Sequence, residues 1–210
     1  EKHSGNGSKL LFENIDLKDE KRLNDFMDKH RPSVICHLAA QAGVRYSLEY
    51  PQTYVDNNVT STINLLEASH KNKVKDFVFA STSSVYGLNK DLPFKETSPI
   101  DSTISTYSAT KYACELLCHT YHKIYGIRFR IMRFFTVYGP WGRPDMALFL
   151  FTKSILADNP IRVFNNGNMQ RDFTYIDDIV EGFVLAIENN YDFEIINLGS
   201  GKAVSLLDFI

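Results

Sequence analysis

Short apolar runs and helical periods alternate along most of the chain. "KLLFENIDL" (9–17) reads as a strand, and "DEKRLNDFMDKH" (19–30) places Leu23, Phe26 and Met27 on one face of an amphipathic helix. "SVICHLAA" predicts a buried strand, followed by the loop "QAGVRYSLEYPQT" and a helix through "NVTSTINLLEASHKN". The strand "VKDFVFAST", a proline-containing loop (89–102), a helix around "STYSATKYACE" and the strand "IRFRIMRFF" complete the regular part. Beyond residue 140 the pattern loosens. "DMALFLFTKSILAD" and "IDDIVEGFVLAIENN" predict helices, "IRVF" and "FEIINLG" strands, and "SLLDFI" the first turns of another helix.

This alternation predicts an α/β fold, a Rossmann-like, doubly wound parallel sheet with helices on both faces. Ligands bind such sheets at the carboxyl ends of the strands. The loops after Leu38, Phe79 and Phe135 are therefore expected to carry the chemistry. Residues 1–140 read as a partial dinucleotide-binding unit, and residues 141–210 as part of a smaller substrate-binding region.

Composition narrows the function. The chain has 210 residues, 44% of them hydrophobic, and a formal net charge of −2. That is enough apolar material for one core. It is too little positive charge for non-specific grip on nucleic acid or an anionic membrane. No run reaches the roughly 18 to 20 apolar residues of a membrane span. Cys36, Cys114 and Cys118 form no C-x-x-C and read as buried thiols in a reducing compartment, with a cytoplasmic location the simplest expectation. His37, His119 and His122 do not cluster and read as structural or surface histidines; no metal site is expected.

Three features carry candidate chemistry. Tyr107 and Lys111 stand one helical turn apart. "STSSVYG" (81–87) ends a strand with the hydroxyls of Ser81, Thr82, Ser83 and Ser84. "HLAAQAGVR" (37–45) follows another strand, with small Ala39, Ala40 and Gly43 that let a flat ligand approach the backbone. A Tyr-x-x-x-Lys pair alone is weak and reads as a surface pair; joined to a hydroxyl cluster at a strand end, it reads as a functional one.

With "HLAAQAGVRYS", "STSSVYG", "YSATK", "RFFTVYGPWGRPDMALFLF", "RDFTYIDDIVEG" and "NLGSG", the chain resembles the extended short-chain dehydrogenase/reductase superfamily. Within it, the chain looks most like the NAD-dependent nucleotide-sugar epimerases, and "RFFTVYGPWGRPDMALF" like the UDP-glucuronate 4-epimerases. The resemblance implies NAD as cofactor, a UDP-sugar as substrate and a homodimer, whose face would include Cys114, Leu117 and Tyr121 unless these are buried in the monomer.

It also implies roles. Tyr107 would remove the proton of the sugar 4-hydroxyl, assisted by Thr82. Lys111 would bind the nicotinamide ribose and, with oxidised nicotinamide, lower the tyrosine pKa. Asp16, Leu17, Leu38, Ala39, Ala40, Gln41 and Asn58 would contact the dinucleotide; a helix-entry role for Asp16, ordinary loop packing for Ala39, Ala40 and Gln41, and helix capping for Asn58 compete. Arg45, Ser83, Ser84, Thr136, Arg143, Ala147, Leu148, Phe149 and Arg171 would bind the substrate. Against this stand a surface salt bridge for Arg45, a solvated loop cation for Arg143, core packing for Ala147, Leu148 and Phe149, and a pair with Asp177 or Asp178 for Arg171. Ser83 and Ser84 occupy positions where related dehydratases and decarboxylases carry catalytic carboxylates, which favours epimerisation over either reaction.

The family opens with a strand, a G-x-x-G-x-x-G turn and a helix that receives the pyrophosphate. No such motif occurs in this chain, and "SGNGS" (4–8) does not substitute for it. The motif is expected ahead of residue 1, and the 210 residues by themselves are expected to be inactive. Ser61 and the Gln170-Arg171 pair also depart from the family's usual glycine and basic pair.

Overall fold

A computed structural model describes residues 10–163 and 165–210; "SGNGS" and Phe164 lie outside the described residues. Helix α1 (Glu20–His30) begins where the Asp19 carboxylate accepts from the Arg22 backbone N–H at 3.1 Å, and ends where Arg31 turns left-handed at φ 45°. Strand β1 (Val34–His37) follows, then short helices α2 (Tyr46–Glu49) and α3 (Pro51–Tyr54), a π-turn (Val55–Thr60) and α4 (Ser61–Lys71). Strand β2 (Asp76–Thr82) runs into a 3-10 turn (Ser83–Tyr86). Helix α5 (Thr106–Tyr125) is capped by Ser105, whose hydroxyl accepts from the Ser108 N–H, and stops at Gly126 with φ 66°. Next come β3 (Arg128–Phe134), β4 (Thr136–Tyr138), α6 (Ala147–Leu156) and β5 (Gln170–Tyr175). The chain finishes with α7 (Ile176–Glu188), β6 (Phe193–Leu198), β7 (Ala203–Ser205) and α8 (Leu206–Phe209).

The main sheet has the order β1-β2-β3-β6 and is parallel throughout. Alternation along its strands sends Phe77, Phe79, Phe129 and Ile131 into one core with Leu23, Met27, Leu66, Cys114 and Cys118 of α1, α4 and α5. Val78 and Met132 point the other way, against Ala186 of α7. Each fully buried phenylalanine contributes about 2 to 3 kcal/mol through lost apolar surface. Helices on both faces make the sheet doubly wound, as the pattern predicted. The register sets Ser81 beside Arg133 and Thr82 beside Phe134. At the opposite end of the sheet Asp76 accepts from Arg128 at 2.6 Å and from Arg130.

Several expectations change. Residues 10–17 form no strand, because no strand of the described residues lies beside them to take their backbone hydrogen bonds. Ile15 and Leu17 still pack on the core, whereas Phe12 is exposed. Cys36 is exposed, since β1 is the edge of the main sheet, while Cys114 and Cys118 are buried as expected. Residues 161–163 also lie outside any strand. A second sheet of order β4-β5-β7 was not predicted; β5 runs parallel to β4 and antiparallel to β7. Asp172 fastens it to the turn after β6, accepting from the Ser200 and Gly201 N–H groups at 2.9 and 2.8 Å and from the Thr174 hydroxyl at 2.8 Å. The Cys114 and Tyr121 side chains proposed for a dimer face are buried within the monomer, and Leu117 packs on the same core.

Candidate active site

Strands β2 and β3 stop beside each other, and their carboxyl ends open into a cleft of about 430 Å³. Thr82, Ser83 and Ser84 line it from the end of β2, Thr136 from β4, Tyr107 from the first turn of α5, and Arg143 from the loop before α6. Six predicted residues from four separate stretches of sequence thus share one space. β2 ends at Thr82, as the run "VKDFVFAST" predicts, so the strand itself delivers Thr82 to the cleft.

Burial pushes the Tyr107 phenol above its ordinary value; the Thr82 hydroxyl and the Arg143 guanidinium pull it down, and Tyr54 adds to the rise. Lys111 is not among the charges that act on the phenol. Its side chain turns into the core, 3% exposed, and its ammonium lies over the Phe79 ring at 4.1 Å from the centroid. Burial lowers its pKa to about 8, with Cys114, Cys118 and Glu115 opposing. The cation that pulls on the phenol is therefore Arg143. His37, on β1, stays neutral because burial and Lys111 take its pKa to about 3, and its Nε2 meets the Thr62 hydroxyl at 2.9 Å.

Arg143 is not a free fork. Its Nε donates to Asp145 at 2.9 Å, and a second nitrogen pairs with the other carboxylate oxygen. Trp141, in the same loop, lines the cleft yet is fully exposed, held at φ 63° between Gly139 and Gly142.

Other predicted residues surround the cleft without lining it. Leu38, Ala39 and Ala40 are exposed beyond β1, and Gln41 is half-buried. Asn58 is buried in the π-turn rather than capping a helix. Its side chain accepts from the Gln41 N–H at 2.7 Å and donates to the Gln41 carbonyl and the Thr110 hydroxyl, both at 3.1 Å. It thereby ties the loop after β1 to α5. These small exposed residues and the anchored backbone beneath them leave room for a dinucleotide such as NAD to lie close to the chain. Asp16 accepts from the Lys18 N–H at 2.9 Å, and Leu17 offers its carbonyl to Asn64 at 3.0 Å. Arg45 is exposed in the loop before α2. Ala147, Leu148 and Phe149 open α6, with Leu148 and Phe149 exposed rather than in the core. Arg171 is exposed and donates to the Gln170 carbonyl at 2.8 Å, not to Asp177 or Asp178.

Sequence reasoning missed Tyr54. Its ring meets Tyr107 edge-on at 6.1 Å, and its hydroxyl donates to the Ala42 and Gly43 carbonyls at 2.8 and 2.6 Å. The sequence predicts a loop over residues 41–53, where the structure has α2 and α3, and α3 carries Tyr54 to this contact. Glu115 and Arg133 were missed as well; they pair beneath the cleft at 2.7 Å.

Comparison with known proteins agrees with this geometry. Residues 1–199 match the NAD dependent epimerase/dehydratase family. A UDP-glucuronate 4-epimerase of Thermodesulfobacterium geofontis is 48% identical over 191 residues, 91% of this chain and 58% of that protein. A UDP-glucuronic acid 4-epimerase from Bacillus cereus, solved with UDP-glucuronic acid and NAD, is 43% identical with a TM-score of 0.84, covering 90% of this chain and 60% of that one. A UDP-glucose 4-epimerase from Thermotoga maritima, solved with UDP-glucose, is 33% identical with a TM-score of 0.89, covering 95% and 65%. The chain spans 63%, 66% and 58% of the length of three curated relatives. No helix among the described residues is long and apolar enough to cross a membrane. With a family match over nearly its whole length, the chain belongs to the NAD-dependent epimerase/dehydratase family.

Proposed function

We propose that this chain carries the catalytic centre of a UDP-glucuronate 4-epimerase, with the NAD contacts in residues 1–140 and the sugar nucleotide held between the strand ends of that part and residues 141–210. The observation that supports it most is the cleft itself, where Tyr107 and Thr82 stand with Ser83, Ser84, Thr136 and Arg143 and no carboxylate replaces the two serines. NAD, when bound, would take the hydride from C4 of the sugar and return it to the opposite face. Tyr107 takes the proton of the 4-hydroxyl and later gives it back, with Thr82 hydrogen-bonded to the same oxygen. Lys111 and the loop Leu38–Gln41 hold the cofactor's nicotinamide ribose, with Asn58 fixing the loop.

Oxidation at C4 makes a uronate into a β-keto acid, which loses CO2 when charge leaves its carboxylate. Donors on that carboxylate favour its charged form and retard the loss. Ser83, Ser84, Thr136 and Arg143 are placed for this, and Arg143 would exchange its bond to Asp145 for the substrate's carboxylate.

The Arg143–Asp145 pair favours a second reading, a 4-epimerase of a neutral UDP-hexose in which Arg143 only braces its loop. Assaying the full-length gene product on UDP-glucuronate and UDP-glucose separates the two. Faster turnover of UDP-glucuronate is expected; faster turnover of UDP-glucose would overturn the uronate reading. Arg143→Leu should weaken UDP-glucuronate by about 2 kcal/mol, roughly 30-fold in kcat/KM. It should also release more CO2 per turnover than the unmodified protein. The contribution of Arg143 is refuted if both quantities stay unchanged.

A further inference from the structure

Glu115 and Arg133 are 3% and 2% exposed and sit beneath the cleft on α5 and β3. Arg133 grips both carboxylate oxygens, with Nε at 3.1 Å and a terminal nitrogen at 2.7 Å. Ser81, the cross-strand neighbour of Arg133 and the residue before Thr82, donates to the same carboxylate at 2.5 Å. The third guanidinium nitrogen donates to the Tyr86 hydroxyl at 3.0 Å and the Glu96 carbonyl at 3.2 Å. Tyr86 in turn donates to Asn197 on β6 at 2.6 Å. One side-chain network thus joins β2, β3, β6, the turn bearing Ser83 and Ser84, and α5.

For stability alone this is a poor choice. A buried ion pair is often matched or bettered by apolar residues of similar volume, because both charges lose their water. What an apolar pair cannot supply is direction. The bidentate fork, closed by Ser81, fixes both the rotation and the height of α5 on the sheet.

We infer that the Glu115–Arg133 pair is a positioning device, which sets the place of Tyr107 and Lys111 relative to Thr82. It rests on the proposed epimerase reading. Glu115 is one turn beyond Lys111 and two beyond Tyr107, so a shift of the helix at Glu115 is passed to both. The pair also acts through charge. Lys111 is faced by Cys114, Glu115 and Cys118 on its own helix, by neutral His37 on β1 and by the Phe79 ring on β2. Among these Glu115 supplies the carboxylate that supports the ammonium.

The test uses the full-length gene product with its bound NAD. Glu115→Gln keeps an acceptor for Ser81 but removes the charge. Its kcat is expected to fall on the order of 10²-fold, as for misplaced catalytic groups, with KM for the UDP-sugar unchanged. The alkaline limb of its kcat profile should move to lower pH, because Lys111 then loses its proton more readily. A double variant, Glu115→Leu with Arg133→Met, guards against simple unfolding. Its melting temperature should recover towards the unmodified protein while kcat stays low. If kcat and the pH profile of either folded variant match the unmodified protein, the pair is only structural and the inference fails. An unmodified protein that interconverts no UDP-sugar epimers overturns the proposed function and this inference with it. An active one with unaffected variants overturns the inference alone.

Discussion

Lys111→Met is expected to make the fold more stable at pH 7 by about 2 kcal/mol and to end turnover. An unburied lysine titrates near 10.5, whereas burial brings Lys111 to about 8, partly offset by Cys114, Cys118 and Glu115. At about 1.4 kcal/mol per pH unit, that gap amounts to about 3 kcal/mol of penalty on the folded state. Losing the contact between the ammonium and the Phe79 ring returns about 1 kcal/mol of it. The flexible thioether fills the same space without a charge. The sign follows from proton binding. Because the folded-state pKa is lower, the unfolded chain holds a proton that the native one gives up between pH 8 and 10.5. The penalty is therefore complete below pH 8 and fades as pH rises towards 10.5. Denaturant midpoints of the two proteins should converge across that range. Equal midpoints at pH 7 would mean that the ammonium reaches water. Turnover should vanish because methionine cannot hydrogen-bond a ribose, so the residue that weakens the fold would be the one the cofactor needs.

Tyr107→Phe should lower kcat by about 10³-fold, in the middle of the range for general acid–base groups. Phenylalanine keeps the ring and its edge-on contact with Tyr54. Binding of the UDP-sugar and the melting temperature should therefore change little. The measurement is single-turnover epimerisation, followed by the two sugar isomers after rapid quenching. A variant that equilibrates them at the original rate would remove Tyr107 from proton transfer and leave Thr82 as the group to test next. The phenol's pKa is raised by burial and lowered by Thr82 and Arg143. Tyr107 therefore depends on nearby positive charge to reach its phenolate at neutral pH, and Arg143 supplies part of it.

Much of this arrangement could be read from the chain. The apolar run "FVFA" is buried on both faces of β2 and announced a central strand, whereas β3 interleaves Phe129, Ile131 and Met132 with arginines that are paired in the interior. Helix α5 carries its own start and stop at Ser105 and Gly126. What failed was local pattern without a partner. Leu10, Leu11 and Ile15 look like a strand, yet a strand exists only where a neighbour accepts its ladder. The three-residue strands β4 and β7 failed in the opposite sense, being too short for a period and dependent on β5.

The site divides the same way. Tyr107, Thr82, Ser83 and Ser84 sit on motifs with fixed spacing, and they reached the cleft. The direction of the Lys111 side chain, the Tyr54 contact and the Glu115–Arg133 pair depend on packing across elements, which spacing does not encode. Arg143 and Asp145 are two residues apart, so their pairing was open to inspection.

Trp141 has a practical consequence. It is the chain's one tryptophan, and it stands in full contact with water at the mouth of the cleft. Its emission belongs at the red, solvent-quenched end of the indole range, so any closing of that loop over a sugar nucleotide becomes a blue shift. The molecule carries its own optical probe of occupancy, and a stopped-flow trace could time the loop without a label.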